Sequence, residues 1–199
     1  MWSRVFATLY DPALWLAERA GMRRRRAELL AQARGVTLEL GAGTGLNLPH
    51  YPDVELILLE PDPTMRARLT RRTSARVLDA GAESIPLEDA SVDTVVATLV
   101  LCTVDEPLAT LHEIARVLKP DGQLLLIEHV RAHSKSLARW QDRLETPWRH
   151  FAVGCRCNRS TGELLRVAGF DLDVHQASWR AMPPIVAPLI AGRAYPTTR

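Results

Sequence analysis

Lysine is nearly absent from this 199-residue chain: Lys119 and Lys135 stand against 23 arginines. With 23 acidic residues the formal net charge is only +2, too small a surplus to imply a nucleic-acid partner. Cysteine is scarce too. Cys102, Cys155 and Cys157 form an odd set without a secretion signal, which excludes a disulfide framework and fits reduced thiols in the cytoplasm. A single C-x-C near His150, with no second cysteine pair, makes no zinc site. Long hydrophobic runs are also missing. Arg4, Asp11, Glu18 and Arg19 interrupt the first twenty residues, so neither a signal-peptide core nor a membrane span is expected. No repeat or low-complexity segment occurs. At 47% hydrophobic and 24% charged residues, the chain can build one core, and a single domain over 1–199 is expected.

The N-terminal apolar residues Trp2, Val5, Phe6, Leu9, Leu14, Trp15 and Leu16 can share one helix face. Beside Arg23–Arg26, such a face would suit peripheral contact with an anionic membrane. The alternative is a solvated basic stretch on a helix that packs against the domain.

Helix and strand patterns alternate along the chain. Pro12–Ala33 reads as a helix stopped by Gly35. Val36–Leu40, Val54–Glu60, Arg76–Asp79, Val92–Leu101 and Gln123–Val130 read as buried strands. Helices are expected over Pro61–Arg72, Glu106–Leu118, Leu137–Phe151 (broken at Pro147) and Ser160–Ala168. Ser160 and Glu163 suit a capping box in the last of these, and Gly169 suits its stop. Lys119–Gly122 reads as a type I turn. Phe170–His175 and Ile190–Tyr195 complete the strands. This is an α/β fold with a mostly parallel sheet covered on both faces, and ligands of such sheets bind beyond the carboxyl ends of the strands. The chain divides accordingly into an N-terminal helical cap (1–35), a ligand-binding core (36–130) and an acceptor-side part (131–199).

The residues after each strand carry the chemistry. Glu39-Leu40-Gly41-Ala42-Gly43-Thr44-Gly45 is a glycine turn whose bare backbone lets a ligand approach closely. Its G-x-G-x-G spacing, two residues after an acid, differs from the G-x-G-x-x-G of dinucleotide sites, where a pyrophosphate meets a helix N-terminus. The acid can orient the loop and hold a ligand ammonium. Glu60, ending the second strand before Pro61, can accept hydrogen bonds from two ribose hydroxyls. Then come Gly81-Ala82-Glu83-Ser84-Ile85-Pro86-Leu87 and Leu118-Lys119-Pro120-Asp121-Gly122.

This set resembles the class I methyltransferases that use S-adenosylmethionine (SAM). The resemblance implies a Rossmann-like, seven-stranded sheet in the order 3-2-1-4-5-7-6 with the last strand antiparallel. It implies a SAM site built from Glu39, Gly41, Ala42, Gly43, Gly45, Asn47, Glu60, Pro61, Gly81, Ala82, Glu83, Thr98, Leu99 and Cys102, with S-adenosylhomocysteine as product. Gly81 stands where the family carries an acid, so backbone at Ala82 must do more of the adenine recognition. Ala97–Val104, Glu128-His129-Val130, Glu145–His150 and Gly154-Cys155 narrow the resemblance to the alkyl thiol S-methyltransferases of mammalian membranes, though without their N-terminal hydrophobic anchor. The stretch from Glu39 to Tyr51 also resembles bacterial phospholipid N-methyltransferases, and quinone-ring methyltransferases share the donor motifs.

The acceptor expected from this is small and hydrophobic, with a thiol preferred over a phospholipid or quinone. A thiol of ordinary pKa is partly ionised at neutral pH, so a modest base would suffice. His129 is the candidate base, with Glu128 beside it and Asp142 and His150 as weaker choices. Trp140, Trp148 and Phe151 are expected to wall the pocket, with Trp15 and Tyr10 closing the opposite side. Two other classes stay open: a nicotinamide-dependent oxidoreductase and a SAM-binding scaffold without activity.

Overall fold

The branched aliphatic runs extend into seven strands. In the computed structural model, which describes residues 11–197, these are β1 (Val36–Leu40), β2 (Glu55–Leu59), β3 (Arg76–Leu78), β4 (Val92–Thr98), β5 (Leu118–His129), β6 (Phe170–Ser178) and β7 (Pro188–Pro196). They form one sheet in the order β3-β2-β1-β4-β5-β7-β6. β7 runs antiparallel to both its neighbours, while the β1, β2, β3, β4 and β5 pairings are parallel. Order and direction are those the family resemblance implies.

Burial on both faces explains why the central strands read as unbroken apolar runs. Val95, Ala97, Leu124 and Leu126 pack with Leu111 and Ile114 of a covering helix, α3 (Pro107–Val117). Val96, Leu125 and Ile127 point the other way, against Leu29 and Leu30 of α1 (Arg23–Leu30) and against Trp179. Each fully buried aliphatic side chain here contributes roughly 1.5–3 kcal/mol. α2 (Pro63–Leu69) starts later than its sequence pattern suggests, because Asp62 caps it: the carboxylate accepts N–H bonds from Thr64 (2.7 Å) and Met65 (2.9 Å).

Several local expectations are corrected. The N-terminal helix is not continuous: Gly21 takes φ +134° inside the Glu18–Met22 turn and kinks the path between residues 11–17 and α1. The expected turn at Lys119–Gly122 is absorbed into β5 as a bulge. Between Val92 and Thr94 the pairing moves from Leu118 to Gln123, and Lys119 Nζ bonds both Asp93 oxygens at 2.8 Å to hold the extra residues. β4 stops at Thr98 because Leu99 turns to φ +63°. α4 (Lys135–Phe151) runs through Pro147 without a break. Pro147 is exposed, so water can serve the carbonyl that loses its partner. α5 (Thr161–Val167) has no capping box, since Ser160 makes no side-chain cap bond. Instead the Thr161 hydroxyl donates to the His129 carbonyl at 3.2 Å, pinning the helix to the end of β5. Gly169 does end this helix, at φ +82°. The expectations for Trp2, Val5, Phe6, Leu9 and Tyr10 lie outside the described residues. No described helix is long and apolar enough to cross a membrane.

Candidate active site

The glycine turn after β1 closes against the end of β2. Gly41 and Gly43 hold φ +54° and +57°, a region costly for other residues. Glu60 fixes the turn: one carboxylate oxygen accepts the Gly43 N–H at 2.7 Å and the other the Asp62 N–H at 2.8 Å. Burial raises its pKa, against these two donors. Each oxygen keeps a further lone pair for a ligand hydroxyl. A Cβ on Gly43 would meet nothing closer than 3.9 Å, so that edge of the turn faces open space. Gly45 differs from its neighbours. A Cβ there would lie 2.6 Å from Leu48 Cδ1 and 3.0 Å from Leu69 Cδ1. Its role is to pack the turn onto α2, and it lines no part of the cavity.

A cavity of about 690 Å³ runs over the carboxyl ends of the strands, within the range of ligand sites. Gly41, Gly43, Glu60 and Pro61 form one end, with Gly81, Ala82 and Glu83 beside them. Leu99 and Cys102 form its middle. His129, Trp148, Phe151, Trp179 and Met182 wall the other end, and Ala13 and Leu14 of the kinked N-terminal segment also line it.

Behind the glycine turn lies a small polar space lined by Glu39, Ala42, Asn47, Thr98 and Arg26. Glu39 is buried and accepts bonds from Asn47 Nδ2 and the Tyr51 hydroxyl, both at 2.8 Å. Burial pushes its pKa up to about 7, with those two bonds and Arg26 pulling the other way. Arg26, 3% exposed, donates to Asn47 Oδ1 (2.9 Å), Thr98 Oγ1 (3.1 Å) and Glu18 (3.1 Å). The reading of Arg23–Arg26 as a solvated stretch therefore fails for its last member.

The two candidate catalytic groups separate. Glu128 turns away from the cavity. Its carboxylate accepts the N–H groups of Val100 (2.8 Å), Leu101 (2.9 Å) and Cys102 (3.2 Å), fastening the loop after β4. Burial raises its pKa to about 7 despite these donors. Its expected place in catalysis gives way to this positioning role. His129 does face the cavity, stacked on Trp179 at a centroid distance of 5.5 Å. Burial pushes its pKa down to about 4, with backbone at Val186 and Pro188 opposing, so the ring is neutral at pH 7. Its Nδ1 and the Trp179 Nε1 are buried without a hydrogen-bond partner, while the Trp148 side chain meets the Cys155 thiol.

Other expectations do not meet at the cavity. Asp142 is tied to Arg131 at 2.6 and 2.7 Å, and that guanidinium holds its carboxyl at about 2. His150 is exposed, its Nδ1 2.9 Å from the Thr146 carbonyl oxygen. Trp140 and Trp15 are 54% and 60% exposed, lying under Arg143 and Arg19 respectively. Neither lines the cavity.

Comparison with known proteins gives this geometry its family. Residues 38–126 match the methyltransferase domain family. Human thiol S-methyltransferase TMT1B is 35% identical over 195 residues, covering 87% of this chain and 79% of the relative. The chain belongs to the thiol S-methyltransferase family. Phosphatidylethanolamine N-methyltransferase of Cereibacter sphaeroides is 29% identical, over 68% of this chain and 74% of its own. Among solved structures, a SAM-dependent methyltransferase of Thermotoga maritima shares the fold, with a TM-score of 0.69 and 24% identity over 98% of this chain and 99% of its own.

Two residues of this methyltransferase escape a reading of its sequence. Trp179 follows β6 directly, but β6 alternates with exposed polar residues and its pattern fades after His175. Arg26 shares a helical stripe with Met22, Leu29 and Leu30, all buried. That phase marks it as inward-facing.

Proposed function

We propose that this methyltransferase takes SAM as donor and passes its methyl group to a small hydrophobic thiol, leaving S-adenosylhomocysteine and a thioether. One observation carries the reading: the glycine-turn edge and an aromatic wall of His129, Trp148, Phe151 and Trp179 belong to a single cavity. A small acceptor with an apolar body and one weakly polar group, such as a thiol, suits walls of this kind. The name of the human relative supports the same acceptor class.

SAM supplies, when bound, a sulfonium methyl that is already electrophilic; the protein's task is alignment and exclusion of water. Gly41 and Gly43 let backbone close on the methionine part, and Glu60 accepts from the ribose. Gly81, Ala82 and Glu83 border the adenine, while Glu39, Asn47, Thr98 and Arg26 receive the amino-acid end. Leu99 and Cys102 line the passage to the acceptor. His129 lines the acceptor end of the cavity, where it meets the S–H of a bound thiol. The ring does not keep that proton. Moving it from a thiol near 8.5 to an imidazole near 4 is uphill by roughly 6 kcal/mol, so the proton passes to solvent and His129 orients the sulfur.

A transfer assay with radiolabelled SAM against thiols, quinols and amino lipids tests the proposal. Label is expected in the thiols. Methylation of an amino lipid and of no thiol would move the chain to the phospholipid enzymes. Binding of S-adenosylhomocysteine without transfer to any acceptor would favour a scaffold, and NAD(H) binding in its place an oxidoreductase.

A further inference from the structure

Cys102 and Cys155 come from separate segments, the loop after β4 and the turn after α4. The Arg156 N–H donates to the Cys102 carbonyl at 2.8 Å, which fastens the two segments side by side. Their sulfurs stand 3.9 Å apart. A disulfide needs about 2.05 Å, and the two sulfurs are already in van der Waals contact. Both cysteines line the cavity and Cys157 does not. Methyl transfer uses neither thiol, since the donor is already activated. The pair is unequal. The hydrogen bond with Cys102 lowers the pKa of Cys155, and Trp148 adds to this against burial. The same hydrogen bond, with burial, pushes Cys102 up. Cys155 is therefore the sulfur that ionises first.

We propose that Cys102 and Cys155 form a thiol–disulfide exchange pair, whose substrate is the disulfide of the small hydrophobic thiols this cavity takes. The Cys155 thiolate attacks one sulfur of R–S–S–R, giving Cys155–S–S–R and releasing RS⁻. Cys102 then loses its proton to solvent and attacks the Cys155 sulfur, closing the Cys102–Cys155 disulfide and releasing the second RS⁻. The substrate gains two electrons and, from solvent, two protons; the dithiol loses the same. An external thiol reverses the reaction. Each released RSH is the kind of nucleophile that methyl transfer consumes. Only the substrate class rests on the thiol reading, and the test below uses no SAM, so the two can fail separately.

The full chain is treated with 2,2′-dithiodipyridine under native conditions, with release of thiopyridone followed by absorbance and the product mapped by peptide mass spectrometry. The expected wild-type result is two thiopyridones released per chain, no retained pyridyl group, and a Cys102–Cys155 linked peptide. Cys102→Ser should release one and retain one pyridylthio group on Cys155. Cys155→Ser should react at least about tenfold more slowly, the thiolate being the attacking species. Cys157→Ser should match wild type. Retained adducts on the wild type, a link through Cys157, or a Cys155→Ser rate equal to wild type would each overturn the proposal. The wild-type peptide map decides the question even if a variant fails to fold.

Discussion

Glu60 braces the glycine turn through Gly43 and Asp62, and on the proposed reading its spare lone pairs accept from the ribose. Glu60→Ala is expected to weaken S-adenosylhomocysteine binding by about 2–4 kcal/mol, two hydrogen bonds at roughly 1–2 kcal/mol each. Titration calorimetry reads this directly, and unchanged affinity would remove Glu60 from the site. His129 gives a sharper test, because an orienting role and a basic role predict different outcomes. Its ring is held neutral down to about pH 4. His129→Ala should slow turnover about tenfold, the worth of one hydrogen bond, and His129→Gln should recover part of it. The rate should climb with pH along the ionisation of the thiol itself. A loss of 10²–10⁴-fold, with an inflection between pH 6 and 7, would restore the general base.

At the scale of elements, the end of β5 governs the loop after β4. Three N–H groups converge on Glu128, and that loop carries Leu99, Val100 and Cys102 into the cavity wall. Glu128→Gln places an NH₂ against at least one of those donors. Destabilisation by about 2–3 kcal/mol is expected, together with weaker cofactor binding; a Tm equal to wild type would contradict the bracing role. The strands themselves were legible in the sequence because β1, β4 and β5 are buried on both faces, and unbroken apolar runs leave little choice. The glycine turn and Glu60 were legible through spacing. The local breaks were not. Gly21, Pro147 and Lys119–Gly122 carry strong turn chemistry, yet only Gly21 interrupts its element. Tertiary contacts decide such cases: Lys119 finds Asp93 across the sheet, which no local pattern records. The direction of Glu128 was hidden for the same reason, since its partners lie 26–28 residues away.

Over the whole molecule, burial shifts acids and base in opposite senses. His129 has a folded pKa near 4 against an ordinary 6.5. The unfolded chain therefore binds its proton first, and up to about 3 kcal/mol of stability is lost as pH falls from 6.5 to 4. His129→Gln should flatten the fall of Tm over that window. Glu39, raised to about 7 from 4.5, favours folding fully below pH 4.5, and that contribution is lost as pH rises through 7. A ligand ammonium beside it would favour the carboxylate. Binding of S-adenosylhomocysteine at pH 7 should therefore release about half a proton, seen as buffer-dependent heat in calorimetry. Heat independent of buffer would place the ammonium elsewhere.

The glycine-turn end and the His129–Trp179 end of the cavity are continuous, with no wall between them. An inhibitor chemist can treat this as one address. An adenosine head joined by a short thioether linker to a hydrophobic tail would dock its second half at an effective concentration in the millimolar range, and gain up to about 10²–10⁴ in affinity over either half alone. The length of linker that gives the tightest binder would then measure, in solution, the path the methyl group travels.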